Sequence, residues 1–285
     1  MASNDEHGSL KYAVWSDRFR VEKPYKVMSD LQPGFQKTNI TYEDGPPQLF
    51  RDARGHESDF TLDSHGFAFC THAHGFQDWD SQEAVEREYL PEVERLLKRE
   101  IPGATRVKVF DWRLRRNQAF EDAGIEQIHL KTSWFPPVST AHIDQTPWSA
   151  KRRVEHHLAE DSDSLARKRL RIVNAWRPVK HAIEDWPLAV CDGRDVAEDD
   201  LLATDYVTLD FVGETYNVLF RDKYRWHYLS RQSPEEVTLI KISDSKGGDV
   251  QARHCPHASF EHKVQRQGVL PRESIEVRVL VFSDD

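Results

Sequence analysis

Long hydrophobic runs are missing from this 285-residue chain; none approaches the roughly 20 apolar residues that a membrane-spanning helix needs. The opening stretch, M-A-S-N-D-E-H-G-S-L-K-Y, is polar, so no secretory signal is expected there. Cysteine is scarce. Cys70, Cys191 and Cys255 form no C-x-x-C pair and leave one thiol over under any pairing. That usage points to a reduced, cytoplasmic protein and against a cysteine-built structural zinc site. A basic excess is also lacking: 39 Lys and Arg face 48 Asp and Glu, a net charge of −9 that argues against nucleic acid as a partner. The basic runs Lys151-Arg152-Arg153 and Arg167-Lys168-Arg169 sit among Glu155, Glu160, Asp161 and Asp163, which reads as a solvated helix face. No internal repeat, low-complexity tract or linker interrupts the chain, so 1–285 reads as a single domain.

What is present is a globular composition, 38% hydrophobic and 11% aromatic, with eight Trp to fill a core or wall an apolar pocket. From Ser81 the pattern is helical, with Val85, Tyr89, Val93, Leu96, Leu97 and Ile101 at helical spacing, Ser81 as N-cap and Pro91 as a kink or division. Strand signals follow. In R-V-K-V-F-D-W-R-L (106–114), strict alternation puts Val107, Val109, Asp111 and Arg113 on one face and Lys108, Phe110, Trp112 and Leu114 on the other. Thr146 caps a helix that starts at Pro147, and R-I-V-N-A-W-R-P-V is a further strand. Beyond Asp199 the chain is almost purely β, with short strands expected at 205–211, 214–220, 225–229, 237–242, 250–260 and 274–282. The fold expected is mainly β: a sandwich, jelly-roll or barrel core over 105–285, with an α/β N-terminal segment, 1–104, packed on it.

Within this frame S-T-A-H-I-D-Q-T-P-W-S (139–149) carries chemistry. On a strand, His142 and Asp144 share a face with Cα atoms about 6.5 Å apart. A third ligand from another strand completes a 2-His-1-carboxylate triad, a set suited to Fe(II) with open positions for O₂ and an organic co-substrate. His257 in R-H-C-P-H-A-S-F is the first choice for that ligand, with His254 and then His227 as competitors. His65, His72, His74, His156 and His157 read as surface or loop residues. A dicarboxylate co-substrate such as 2-oxoglutarate needs a cation, and arginine's planar fork suits it. On the last strand Arg278 shares a face with Leu280 and Phe282 and, if buried, needs an anionic partner, either the co-substrate or Glu276 or a neighbouring acid; Arg272 has the same parity, and Arg177 is a third choice. Trp134, Phe135, Trp148, Trp176, Trp226 and Tyr228 are candidates for an apolar wall, and His227, between Trp226 and Tyr228, is a further candidate to face substrate. No catalytic side chain beyond the metal ligands is expected.

Six segments carry a family resemblance: A-H-I-D-Q-T, N-A-W-R-P-V, W-P-L-A-V-C-D, Y-L-S-R-Q-S-P-E-E-V-T-L-I-K-I-S-D-S, C-P-H-A-S-F and P-R-E-S-I-E-V-R-V-L-V-F. In this order they resemble the fungal AsaB-like hydroxylase/desaturase family, related to the bacterial CmcJ-type cephem methoxylation protein, over about 130–285. The resemblance implies a double-stranded β-helix (jelly-roll, cupin-like) fold and a non-heme dioxygenase using Fe(II), 2-oxoglutarate and O₂. It implies hydroxylation, desaturation or cyclisation of a small molecule in natural product biosynthesis. It makes His142, Asp144 and His257 the metal ligands and favours the segment holding Arg272 and Arg278 for the co-substrate, without choosing between them. Two other readings share these features: a metal oxidase of the same fold without 2-oxoglutarate, and a non-catalytic jelly-roll binding protein.

Overall fold

The structure, a computed structural model, describes residues 4–29, 31–32, 34–118, 134–209, 211–246, 250–263 and 268–284. Among these residues the strands form two large sheets facing each other. One has the order β1 (Glu6–Gly8), β5 (Gln48–Asp52), β14 (Trp226–Tyr228), β11 (Leu188–Cys191), β16 (His257–Ser259), β9 (His142–Ile143), β13 (Val212–Val218), β12 (Leu201–Val207), β3 (Tyr25–Val27). The other has the order β6 (Phe67–Thr71), β15 (Glu236–Asp244), β10 (Arg169–Pro178), β17 (Glu273–Ser283), β7 (Ala104–Arg116), β8 (Trp134–Phe135). A ribbon of β2 (Lys11–Ala13) and β4 (Tyr42–Asp44) lies beside them. Pairing is mostly antiparallel and neighbours in space are distant in sequence, as in a jelly roll. Strands from the first 104 residues join both sheets: β5 pairs with β14, and β6 with β15.

Alternation along the strands decides what faces the interior. On β17, Ile275, Val277, Val279 and Val281 face the helix-covered outside, while Leu280 and Phe282 join Ile172, Trp176, Ile143 and Val190 between the sheets. Each fully buried aliphatic side chain contributes about 2 kcal/mol. The strict alternation expected on β7 fails at one place. A register shift opposite Arg278/Val279 makes Phe110 an extra residue. Val107 therefore packs on the same outer side as Trp112 and Leu114, with Val109 against them, while Asp111 pairs with Arg278.

The helical segment from Ser81 is divided, as its proline suggested, but the division falls one turn earlier than Pro91. Short α1 (Gln82–Ala84) passes through a π turn at Val85–Tyr89 into α2 (Leu90–Glu100), where Pro91 occupies the first turn and no missing N–H is felt. α2 buries Val93, Leu96 and Leu97 on the outer face of the smaller sheet. α3 (Pro147–His157) begins as expected, with the Thr146 hydroxyl accepting the Ser149 N–H at 3.2 Å. α4 (Ser162–Leu165) follows. The solvated basic face holds for Lys151 and Arg152 but not for two neighbours. Arg169 is buried and donates to Asp244 and Asp63, and Arg153 lies on the Phe211 ring. Among the described residues no helix is long and apolar enough to cross a membrane.

Candidate metal centre

β9 and β16 are neighbours in the larger sheet, and their register puts His142 directly opposite His257, with ring centres 4.5 Å apart. Asp144 follows at the end of β9, two residues before the α3 cap. The side-chain ligand atoms of His142, Asp144 and His257 all lie within 4.8 Å of one another, and His142 Nε2 is 3.5 Å from Asp144 Oδ1. Among the described residues this is the one cluster of three such side chains close enough to share an ion. Both imidazoles are oriented by backbone: Nδ1 of His142 meets the Thr140 carbonyl at 2.8 Å and Nδ1 of His257 the Cys255 carbonyl at 3.3 Å. Donation there leaves the Nε2 lone pairs for a metal. His257 Nε2 is buried with no hydrogen-bond partner, an orphan that an ion would satisfy. Burial, and then the neighbouring His142, push His257 down to about 3, so it is neutral and ready to ligate.

Asp144 is held by groups from the opposite sheet. Arg278 Nε donates to Oδ2 at 3.0 Å, Arg278 Nη2 to Oδ1 at 3.3 Å, and Asn174 Nδ2 to Oδ2 at 2.6 Å. Burial alone would raise this carboxyl; the Arg278 charge, the His142 hydrogen bond and the two imidazoles outweigh it and hold it well below the usual range. Arg278 also bonds Asp111 at 2.8 Å and Glu276 at 2.7 Å. This departs from the expectation that Arg278 receives the co-substrate: three carboxylates already occupy it.

Arg272 is placed differently. It is 1% exposed, and its Nε donates to Ser274 Oγ at 3.0 Å and its Nη1 to Ser259 Oγ and the Trp186 carbonyl. Among the described residues it forms no ion pair with a carboxylate. Burial and the nearby Arg115 lower it to about 9, and Asp185 and Glu276 offset only part of that fall. Trp176 lies under its guanidinium at 5.0 Å, with its own Nε1 buried and unpartnered.

The other expected residues divide. His227 pairs with Val190, which pairs in turn with His257, so His227 shares their inner face, packed against Phe60 and Phe67 rather than at the cluster. Tyr228, one residue on, points to the outer apolar layer with Trp226 and gives its hydroxyl to the Asn4 carbonyl, so it does not line the interior. His254 lies beside Tyr216, outside the cluster. Arg177 faces the other side of β10, where it donates to the His72 carbonyl at 2.7 Å. Trp148 is 48% exposed, and Trp134 and Phe135 sit under Arg116 and Arg113. Three histidines expected at the surface are packed instead: His72 against Arg177, His74 against Trp79 and Tyr89, His157 against Phe110. Sequence reasoning passed over Asn174, Ser259 and Ser274 and named no role for Asp111, while Glu276, its alternative partner for Arg278, does pair with that arginine. A signal existed for Asn174, a lone polar residue inside the apolar run I-V-N-A-W.

Known proteins resemble this chain in sequence and fold. A family described as "YDMC: Oxidoreductase/YMDC permease-like domain" matches residues 10–282. Hydroxylase/desaturase efuI of Hormonema carpetanum is 34% identical over 274 residues, 90% of each chain. The Fe(II)/2-oxoglutarate-dependent dioxygenase nvfI of Aspergillus novofumigatus is 33% identical over 259 residues, 88% of each chain. A solved structure of the iron and alpha-ketoglutarate-dependent endoperoxidase NvfI superposes with a TM-score of 0.86 at 30% identity, over 99% of both chains.

Proposed function

Because the chain belongs to the fungal hydroxylase/desaturase family of Fe(II)/2-oxoglutarate-dependent dioxygenases, we propose that His142, Asp144 and His257 hold its iron and Arg272 the far carboxylate of its 2-oxoglutarate. The protein is an oxygenase of secondary metabolism that hydroxylates, desaturates or oxidatively cyclises a small molecule. Bound at this centre, Fe(II) with 2-oxoglutarate and O₂ supplies the oxidant that removes hydrogen from a C–H bond of the substrate, with succinate and CO₂ as co-products.

The observation that carries the assignment is the His142–Asp144–His257 cluster, with its orphaned Nε2 and its two Nδ1–H groups tied to backbone carbonyls. Imidazole and carboxylate are the donor types that Fe(II) takes. Arg278 and Asn174 keep Asp144 ionised and fixed. Arg272 suits a carboxylate because it is buried, cationic and without an acid partner among the described residues, and two serine hydroxyls stand beside it. Ser259 lies two residues along β16 from His257, about 6.7 Å at Cα, so a five-carbon diacid held by Arg272 keeps its other end near the histidines. Trp176 closes that end against water and offers an N–H. In this reading 1–285 works as one domain acting on a small molecule. The three free thiols support a cytoplasmic setting.

The test is anaerobic equilibrium dialysis with Fe(II), followed by CO₂ release from radiolabelled 2-oxoglutarate on exposure to O₂. One iron per chain and oxygen-dependent CO₂ release are expected. Undiminished iron affinity in His142→Ala and Asp144→Ala would overturn the ligand assignment, and turnover of substrate without succinate would overturn the co-substrate.

A further inference from the structure

α3 leaves the metal-bearing strand at Thr146 and carries two polar side chains to a place the proposed chemistry does not use. Arg153 lies with its guanidinium 3.8 Å from the centre of the Phe211 ring and 5.5 Å from that of Phe110. Its Nε is buried without a hydrogen-bond partner, and among the described residues the side chain makes no hydrogen bond and no ion pair. One turn later His157 sets its ring 5.6 Å from Phe110, and its Nε2 is likewise buried and unpartnered. Arg278 and Arg169 differ sharply from Arg153: the first meets three carboxylates and the second two. An N–H cut off from water with no acceptor, as at Nε of the half-buried Arg153, is unfavourable unless a ligand supplies one.

The surroundings are built rather than incidental. Phe211 sits at the turn between β12 and β13, where the Thr208 hydroxyl accepts its N–H at 3.1 Å and donates to its carbonyl at 3.0 Å. Phe110 is the extra residue of the β7 bulge, next to Asp111, which pairs with Arg278 and through it with Asp144. Arg153 thus stands on the metal side of α3, about 10 Å of helix beyond the Thr146 cap. Burial, the main cause for both, lowers Arg153 to about 10 and His157 to about 4, so near neutral pH the first is a cation and the second a neutral imidazole.

We propose that Arg153 and His157, walled by Phe110 and Phe211, bind an anionic oxygen, a carboxylate or an acidic enol, on an otherwise apolar substrate and so present its distant C–H bond to the metal centre. The site selects substrates by charge at one end and by ring surface around it. This inference rests on the assignment of His142, Asp144 and His257 as that centre.

The probes are naphthoate and its neutral isostere naphthamide. Their binding to the full chain is measured by calorimetry under anaerobic conditions with Fe(II) and saturating 2-oxoglutarate, and again without metal. Naphthoate is expected to bind the parent roughly tenfold tighter than naphthamide. Arg153→Met should abolish that preference, Arg153→Lys should keep part of it, and Phe211→Leu should weaken both probes alike. Iron and 2-oxoglutarate affinities should stay at parent values in Arg153→Met. Equal or absent binding of the two probes to the parent, or an intact preference in Arg153→Met, overturns the proposal. So does a loss of 2-oxoglutarate affinity in Arg153→Met, which would make Arg153 a co-substrate residue. If iron fails to bind the parent, the reading of the centre falls, and the metal-free measurement still decides the role of Arg153.

Discussion

Arg278 grips Asp144 through two nitrogens, Nε to Oδ2 at 3.0 Å and Nη2 to Oδ1 at 3.3 Å, from a strand of the opposite sheet. The pair ties β17 to the end of β9 and leaves a buried carboxylate both charged and fixed in direction. Its worth is in positioning, because a buried ion pair adds little net stability of its own.

Removing that grip should weaken the metal centre without emptying it. Arg278→Met leaves all three ligands in place but frees Asp144 to rotate and to take up a proton. Iron affinity should fall by about 10- to 100-fold, the range found when groups that orient metal ligands are lost. Anaerobic Fe(II) titration reads the effect, and an unchanged dissociation constant would show that Arg278 plays no part in holding Asp144.

Arg272 should control 2-oxoglutarate and not iron. In Arg272→Met the KM for 2-oxoglutarate should rise roughly a hundredfold, the value of a buried charge-assisted contact, while iron affinity stays at the parent level. Arg272→Lys should recover part of the loss, since it restores the charge but not the fork. A KM that does not move in either variant would send the co-substrate elsewhere.

Far from the metal, Lys241 is fully buried and donates to Asp63 at 2.8 Å, Asp244 at 2.7 Å and the Ala252 carbonyl at 3.1 Å. Lys241→Met strips one cation from two carboxylates and should cost about 3 kcal/mol in urea unfolding. Asp63 itself is lowered to about 2, burial being outweighed by Lys241 and Arg169. A folded value below the unfolded one of about 3.9 means stability that is present above pH 4 and lost as pH falls toward 2. Asp63→Asn should therefore flatten the acid limb of the Tm–pH curve between about pH 4 and 2, modestly because Asp63 is half exposed. An acid limb identical to that of the parent would count against it.

His227 offers the same logic with an imidazole. Burial among Phe60 and Phe67 lowers it to about 4, below an unfolded value of about 6.5. The unfolded chain binds the extra proton first, so this residue's contribution to stability is complete above about pH 6.5 and drains away toward pH 4. His227→Phe fills the space with another ring and removes the proton uptake. It should raise Tm at pH 5 more than at pH 8; an equal shift at both would show that the imidazole is not buried neutral.

The sequence by itself determined the chemistry of the centre and the alternation that aims it. His-x-Asp ahead of a Thr-Pro helix start, a late histidine and a strand arginine were legible because ligand types and period-2 spacing are local properties. The caps at Ser81 and Thr146 were legible for the same reason. Tertiary structure alone decided the rest. Which of two arginines of equal parity meets Asp144 depends on strand register across two sheets, which places Arg278 opposite Asp111 and Arg272 beside Ser259. The bulge at Phe110 reverses the expected faces of β7, and a single extra residue leaves no trace in hydrophobic periodicity. Arg153 and Arg169 read as solvated charge because a basic run looks the same whether its side chains meet water, an aromatic ring or an acid distant in the chain. Only the packed fold brings Phe211 over the one and Asp244 to the other.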